Sequence, residues 1–212
     1  PRGPGLERGL DMLAVQYHTT GLPLLTDIHL PNQALLAAEV CDVLQIPAAL
    51  CRQTDLLYAA AETGRAVNLK KGQWVSASEM QGAVDKVKRC AAPVVPSVAV
   101  TERGTFFGYG DLVVDMRNIV KLRDVCATPV IFDATHSVQR PGLGCQGSSG
   151  GFREYIAPLA LAAVAAGADG LYLEVHPEPA SAPSDGACML ALQELLPLMR
   201  RVMAVRKAVQ NA

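Results

Sequence analysis

The chain has 212 residues, half of them hydrophobic, and its 19 basic and 20 acidic side chains leave a formal net charge of −1. Near-neutrality leaves no footprint for general nucleic-acid binding, and no apolar run approaches the roughly 20 residues that span a bilayer. The six cysteines, at 41, 51, 90, 126, 145 and 188, form no CxxC pair and no zinc-finger spacing, so they read as thiols of a cytosolic protein.

The opening PRGPGLERG has no signal-peptide character, and the expectation is one soluble, cytoplasmic domain over residues 1–212. Apolar residues at helical spacing predict a helix from Leu6 to Thr20, and Pro23–Ile28 reads as a strand. A helix follows over Pro31–Val40, then a strand at Val43–Ile46, a helix over Gln53–Thr63 closed by Gly64, and a strand at Ala66–Leu69. Ser78–Cys90 reads as helix, Val94–Val100 as strand, Asp111–Leu122 as helix and the PVIFD run from Pro129 to Asp133 as strand. The Ala-rich stretch Phe152–Ala166 is a helix ended by Gly167, Asp169–Val175 is the last strand, and Leu190–Val209 is the last helix.

Six strands, each followed by a helix, argue for a parallel α/β sheet with right-handed crossovers. No GxGxxG or GxxxxGK[ST] follows any strand, which weakens the case for an open nucleotide-binding sheet. A (β/α)8 TIM barrel is expected instead. The first helix has no strand before it, so two strands are expected ahead of Pro1 and the barrel is read as N-terminally incomplete.

The strands are apolar inside and polar at their ends: TDIH (26–29), QIPA (45–48), LKKGQ (69–73), VTERG (100–104), DATH (133–136) and EVHPEP (174–179). Titratable groups there are costly to bury without partners, and that rim of a barrel is where active sites form. Taken singly, each has a plainer reading. Asp27 could cap the next helix, Lys70 and Lys71 could be a solvated strand end, Arg103 could serve a turn, and His136 could be a hydrogen-bonded structural histidine. Glu174, read as lying inside the apolar run LYLEV, needs a partner or a cation. Together, a lysine and an arginine at neighbouring strand ends suit an oxyanion. His136, Glu174 and Asp185 suit a divalent ion with mixed nitrogen and oxygen ligands, Mn, Fe, Co or Zn before Ca or Mg.

RGPG (2–5), TDIH, LQIPA, CRQTDLL, GRAVNLKKGQ, ERGTFFGY, LVVDMR, IFDATHSVQ, SGGFRE, EVHPEP and SDGA occur in that order over nearly the whole chain. In this the chain resembles the 3-deoxy-D-manno-octulosonate 8-phosphate synthases, also called 2-dehydro-3-deoxyphosphooctonate aldolases. The related 3-deoxy-heptulosonate phosphate synthases share the ERG, histidine and EVHP elements, whereas RQTD, KKGQ and FGY favour the octulosonate branch. The resemblance implies a (β/α)8 barrel, a homotetramer, and condensation of phosphoenolpyruvate with arabinose 5-phosphate and water. It implies no organic cofactor, and no partner beyond small phosphorylated substrates and other subunits.

By the same resemblance, Lys70 and Arg103 would hold phosphoenolpyruvate, with Gln45 and the Ala48 backbone lining that pocket. Asp27 and His29 would face the arabinose phosphate, and Arg52 would reach a neighbouring subunit's sugar phosphate. His136, Glu174 and Asp185 match metal ligands, and His136, Asp185 and Lys70 are the catalytic candidates. The family's remaining metal ligand, a cysteine or in metal-free members an asparagine, and a lysine-rich phosphate-binding segment are expected before Pro1. Ala49 stands where phenylalanine is common, and Leu30 where an acidic residue is. The serine before Asp185, and VQRPG with SGGFRE after His136, resemble the metal-dependent members. Two other readings stand beside this one: a heptulosonate phosphate synthase using erythrose 4-phosphate, and a non-catalytic barrel that binds phosphoenolpyruvate.

Overall fold

The computed structural model describes residues 3–90, 95–143 and 150–210. The chain divides into two compact units, Pro1–Gly72 with Ser78–Val100, and Gln73–Ala77 with Thr101–Ala212. Both alternate short strands with helices, and the most buried strands, such as Val43–Ile46 and Val130–Asp133, are largely apolar because they are covered on both faces.

In the first unit α1 (Leu6–Thr20) ends at Gly21, whose φ of 66° allows its N–H to cap the Tyr17 carbonyl. β1 (Leu25–Asp27), α2 (Ala34–Val40), β2 (Val43–Ile46), α3 (Thr54–Glu62), β3 (Ala66–Lys70) and α4 (Ala77–Lys88) follow. β1, β2 and β3 are parallel, and their register sets Asp27 beside Gln45 and Gln45 beside Asn68. Leu44, Ile46, Val67 and Leu69 are buried along these strands, with Leu56, Leu57 and Ala60 of α3 also in the core.

β4 (Val98–Glu102) leads into the second unit, which continues with β5 (Thr105–Gly108), β6 (Asp111–Val113), α5 (Arg117–Cys126) and β7 (Val130–Asp133). Then come β8 (Gln139–Arg140), β9 (Gly150–Gly151), α6 (Ile156–Ala165), β10 (Gly170–Tyr172), β11 (Val175–His176), β12 (Leu190–Ala191) and α7 (Leu192–Gln210). β7 and β10 are parallel, with Ile131 beside Gly170 and Asp133 beside Tyr172. The strand order is β1-β2-β3 in the first unit, and β7 neighbours β10 in the second. Parallel strands alternating with helices are the architecture of the (β/α) barrel class, as the sequence led us to expect. Among the described residues, no helix is long and apolar enough to cross a membrane.

Three sequence expectations are corrected. Residues 111–122 are not one helix: β5 and β6 form an antiparallel hairpin, and α5 begins only at Arg117. Gly108 and Gly110 allow that turn, since a Cβ at Gly108 would lie 2.5 Å from the Asp111 carbonyl oxygen and Gly110 has a φ of 100°. The strand read over Asp169–Val175 is broken. β10 stops at Tyr172, and β11 pairs in parallel with β12, which takes Leu190 and Ala191 out of the last helix. Glu174 therefore lies between two short strands, not inside a buried one. Val94, the first residue of one expected strand, Cys145 and Ser149 lie outside the described residues.

Candidate functional site

In the first unit, the strand ends carry a row of hydrogen-bonded side chains. Asn68 Nδ2 donates to Gln45 Oε1 at 2.7 Å, and Gln45 Nε2 donates to Asp27 Oδ1 at 2.5 Å. The register aligns the three residues, so one amide feeds the next across adjacent strands. Gln45 and Asn68 are buried, and Asp27 is exposed. Asp27 thus does not cap the next helix. The Gln33 side chain does that work, accepting from the His29 and Leu30 N–H groups at 2.8 and 3.2 Å.

Lys70 and Lys71 are not a solvated strand end: they are 5% and 0% exposed, and Lys71 Nζ donates to the Gly72 carbonyl at 3.2 Å. Ala48 is buried at the start of a short 3₁₀ turn, His29 is half-buried and Arg52 is exposed. Burial pushes the Cys51 thiol upward, against a hydrogen bond from Gly72 and the charges of Arg52 and Lys71.

In the second unit the site grows from the end of β7. Asp133 is fully buried, and its carboxylate is surrounded by donors. Oδ1 accepts from the His136 N–H at 2.8 Å and the Thr135 hydroxyl at 3.1 Å, and Oδ2 lies 2.7 Å from His136 Nδ1. With Nδ1 held there, His136 Nε2 lies 3.4 Å from Glu174 Oε1. Glu174 is anchored through its backbone, its N–H donating to Thr135 Oγ1 at 3.1 Å and its carbonyl accepting from the Leu190 N–H at 2.9 Å. Asp185 takes a left-handed φ of 52°, which aspartate tolerates. Its carbonyl accepts from the Cys188 N–H at 2.8 Å.

His136, Glu174 and Asp185 each offer one ligand atom, and all of these lie within 4.8 Å of one another. Two carboxylates at this spacing repel, and a divalent cation relieves the repulsion. One imidazole nitrogen and two carboxylate oxygens, with the histidine's other nitrogen held by a buried carboxylate, fit such an ion. Burial, then the charges of Asp185 and Glu174, push the Cys188 thiol up to about 11.

Arg103 is not confined to a turn. It is 7% exposed, and its NH2 donates to the His136 carbonyl at 2.9 Å and to Gln139 Oε1. Burial pushes its guanidinium down from the ordinary value, while Asp133, Asp185 and Glu102 oppose that shift. Gln139 Nε2 in turn donates to Asp185 Oδ1 at 2.7 Å. A Cβ at Gly151 would sit 2.8 Å from the Val138 carbonyl oxygen and would overlap Cys188 Sγ, so only glycine lets β9 lie against β8 here.

Within each unit the candidates are brought together: Asp27 and Gln45 in the first, Arg103, His136, Glu174 and Asp185 in the second. Sequence reasoning gave no role to Asn68, Thr135 or Gln139, and treated Asp133 only as a costly buried acid. Asp133 and Gln139 stand three residues before and after His136, and that spacing was the available signal.

A family model described as the DAHP synthetase I family matches residues 2–211. A protein of Nitratidesulfovibrio vulgaris named 2-dehydro-3-deoxyphosphooctonate aldolase is 53% identical over 204 residues, which cover 96% of this chain and 73% of that protein. Proteins of the same name from Syntrophotalea carbinolica and Methylobacterium radiotolerans are 51% and 52% identical, covering 99% and 96% of this chain and 74% and 70% of their own lengths.

Proposed function

The chain belongs to the DAHP synthetase I family, and on that footing we propose that it is an aldol-type condensing enzyme that forms 3-deoxy-D-manno-octulosonate 8-phosphate. The reaction joins C3 of phosphoenolpyruvate to the aldehyde carbon of D-arabinose 5-phosphate, adds water oxygen at C2 and releases inorganic phosphate. The observation that carries this reading is the His136, Glu174 and Asp185 cluster, linked through Gln139 to the buried guanidinium of Arg103. The relatives' name favours the octulosonate product over the heptulosonate one and over a non-catalytic barrel.

His136, Glu174 and Asp185 would hold a divalent ion of the Mn, Fe, Co or Zn kind, which when bound polarises the aldehyde or orients the water. Arg103 supplies charge-assisted donors for an anionic substrate, in a buried setting where such bonds are strong. Asp133 keeps the His136 ring in one orientation through the 2.7 Å contact of its Oδ2 with Nδ1. Lys70, Gln45 and the Ala48 backbone are assigned to phosphoenolpyruvate, Asp27 and His29 to the arabinose phosphate, and Arg52 to a neighbouring subunit's sugar phosphate. These assignments rest on the sequence match.

The reading includes a homotetramer and a cytoplasmic setting, and the five free cysteines among the described residues suit the second of these. Phosphate release and product formation, measured with phosphoenolpyruvate plus either arabinose 5-phosphate or erythrose 4-phosphate, test it. Arabinose 5-phosphate should be preferred, and activity should fall on chelation and return with added divalent metal. Preference for erythrose 4-phosphate would move the protein to the heptulosonate branch, and release with neither sugar would overturn the assignment. Full activity after exhaustive chelation would remove the metal from the reading.

A further inference from the structure

Gln139 is where two chemically opposite groups of the second unit meet. Its Oε1 accepts from Arg103 NH2, and its Nε2 donates to Asp185 Oδ1 at 2.7 Å. The amide has only one orientation here, because flipping it would set its NH2 against a guanidinium and its carbonyl against a carboxylate. The residue is 7% exposed, so water does not readily replace either partner. Its backbone is pinned as well, since Gln139 pairs with Gly151 in the β8–β9 ribbon. That pairing depends on the absence of a side chain at position 151.

We propose that Gln139 is a positioning residue that couples the anion-binding guanidinium of Arg103 to the metal-ligand carboxylate of Asp185. The inference rests on the reading of Arg103 and Asp185 given above. An anion drawn to Arg103 pulls the guanidinium toward it, and Gln139 transmits that displacement to the Asp185 carboxylate, whose orientation sets how well the three-ligand cluster closes. Occupancy of one site is thereby linked to affinity at the other, and the linkage is reciprocal. The chain of bonds needs the full length of a glutamine with a donor at one end and an acceptor at the other. Methionine fills a similar space with no N–H donor and only a weak sulfur acceptor, and asparagine keeps the amide but holds it one methylene short of both partners.

The experiment is a metal-affinity titration of the protein with Mn²⁺ or Zn²⁺ by competition against a chromogenic chelator, with and without saturating phosphoenolpyruvate. Wild-type protein, Gln139→Met and Gln139→Asn are compared, with circular dichroism to confirm folding. Phosphoenolpyruvate should change the wild-type metal affinity about fivefold or more. In either variant metal binding should weaken by about 10- to 100-fold, and the ratio of affinities with and without phosphoenolpyruvate should fall to near one. Weakened metal binding with an intact phosphoenolpyruvate effect would make Gln139 a strut of the cluster and overturn the coupling. So would unchanged behaviour of both folded variants in a protein whose wild type binds metal and forms product. A wild type that neither binds metal nor forms product would instead overturn the reading of the site itself, and the coupling with it. Gln139→Asn keeps the test decisive if the methionine variant does not fold.

Discussion

The Asp27, Gln45 and Asn68 row of the first unit and the Asp133, His136, Glu174 and Asp185 cluster of the second are both networks of polar side chains at strand ends. They are built in different ways. The row is a product of register: three neighbouring parallel strands put three residues side by side, and each link is one hydrogen bond donated by a side-chain amide, at 2.5 or 2.7 Å. The cluster is assembled from a strand end, a 3₁₀ turn, the break between β10 and β11, and a left-handed aspartate. A row loses only the bonds of the residue removed. A cluster in which one buried carboxylate orients both Thr135 and His136 should lose more than the sum of its bonds.

The sharpest way to break this comparison is Asp133→Ala. It leaves the His136 N–H, the His136 ring nitrogen and the Thr135 hydroxyl without their acceptor. The expected loss is about 3 kcal/mol or more in urea denaturation, and Asp133→Asn should weaken metal binding by about 10- to 100-fold. A cost below about 1 kcal/mol with ordinary metal affinity would show that the cluster does not depend on its buried acid.

Gln45→Leu comes next. It removes two side-chain bonds from the row and should cost about 1–3 kcal/mol, while metal affinity stays at the wild-type value. Equal metal loss in Gln45→Leu and Asp133→Asn would erase the distinction between the two networks.

The smallest effect is expected at Asp115, which belongs to neither. Its carboxylate accepts from the Arg117 backbone N–H at 3.0 Å and from Arg117 Nε at 2.8 Å at the start of α5. Asp115→Ala should cost about 1 kcal/mol or less, the ordinary worth of an exposed hydrogen-bonded ion pair. The Arg117 bond holds the Asp115 carboxyl below its ordinary value. The lowered folded value means that the stabilisation is present above the ordinary carboxylate range and is lost as pH falls through the lowered one. The gap between wild type and variant in urea midpoint should therefore be full at pH 7 and close in strong acid. A gap that widens as pH falls would reverse the sign of this argument.

What the sequence determined by itself is what depends on local pattern. Buried strands must be apolar and helices must be amphipathic, so strands such as Val43–Ile46 and Ala66–Leu69 and the parallel α/β class were legible. His136, Glu174 and Asp185 were legible as donor types suited to one ion. Tertiary structure decided the rest, because nothing local distinguishes the alternatives. Asp111–Val113 is a strand because it pairs with Thr105–Gly108, although its residues also suit a helix. Leu190 and Ala191 leave the last helix because Val175 and His176 offer backbone partners. Lys71 is buried where its sequence suggested solvent. Gln139, an unremarkable amide in HSVQ, became a link only when folding set Arg103 and Asp185 at its two ends, since a hydrogen bond depends on position as well as on residue type.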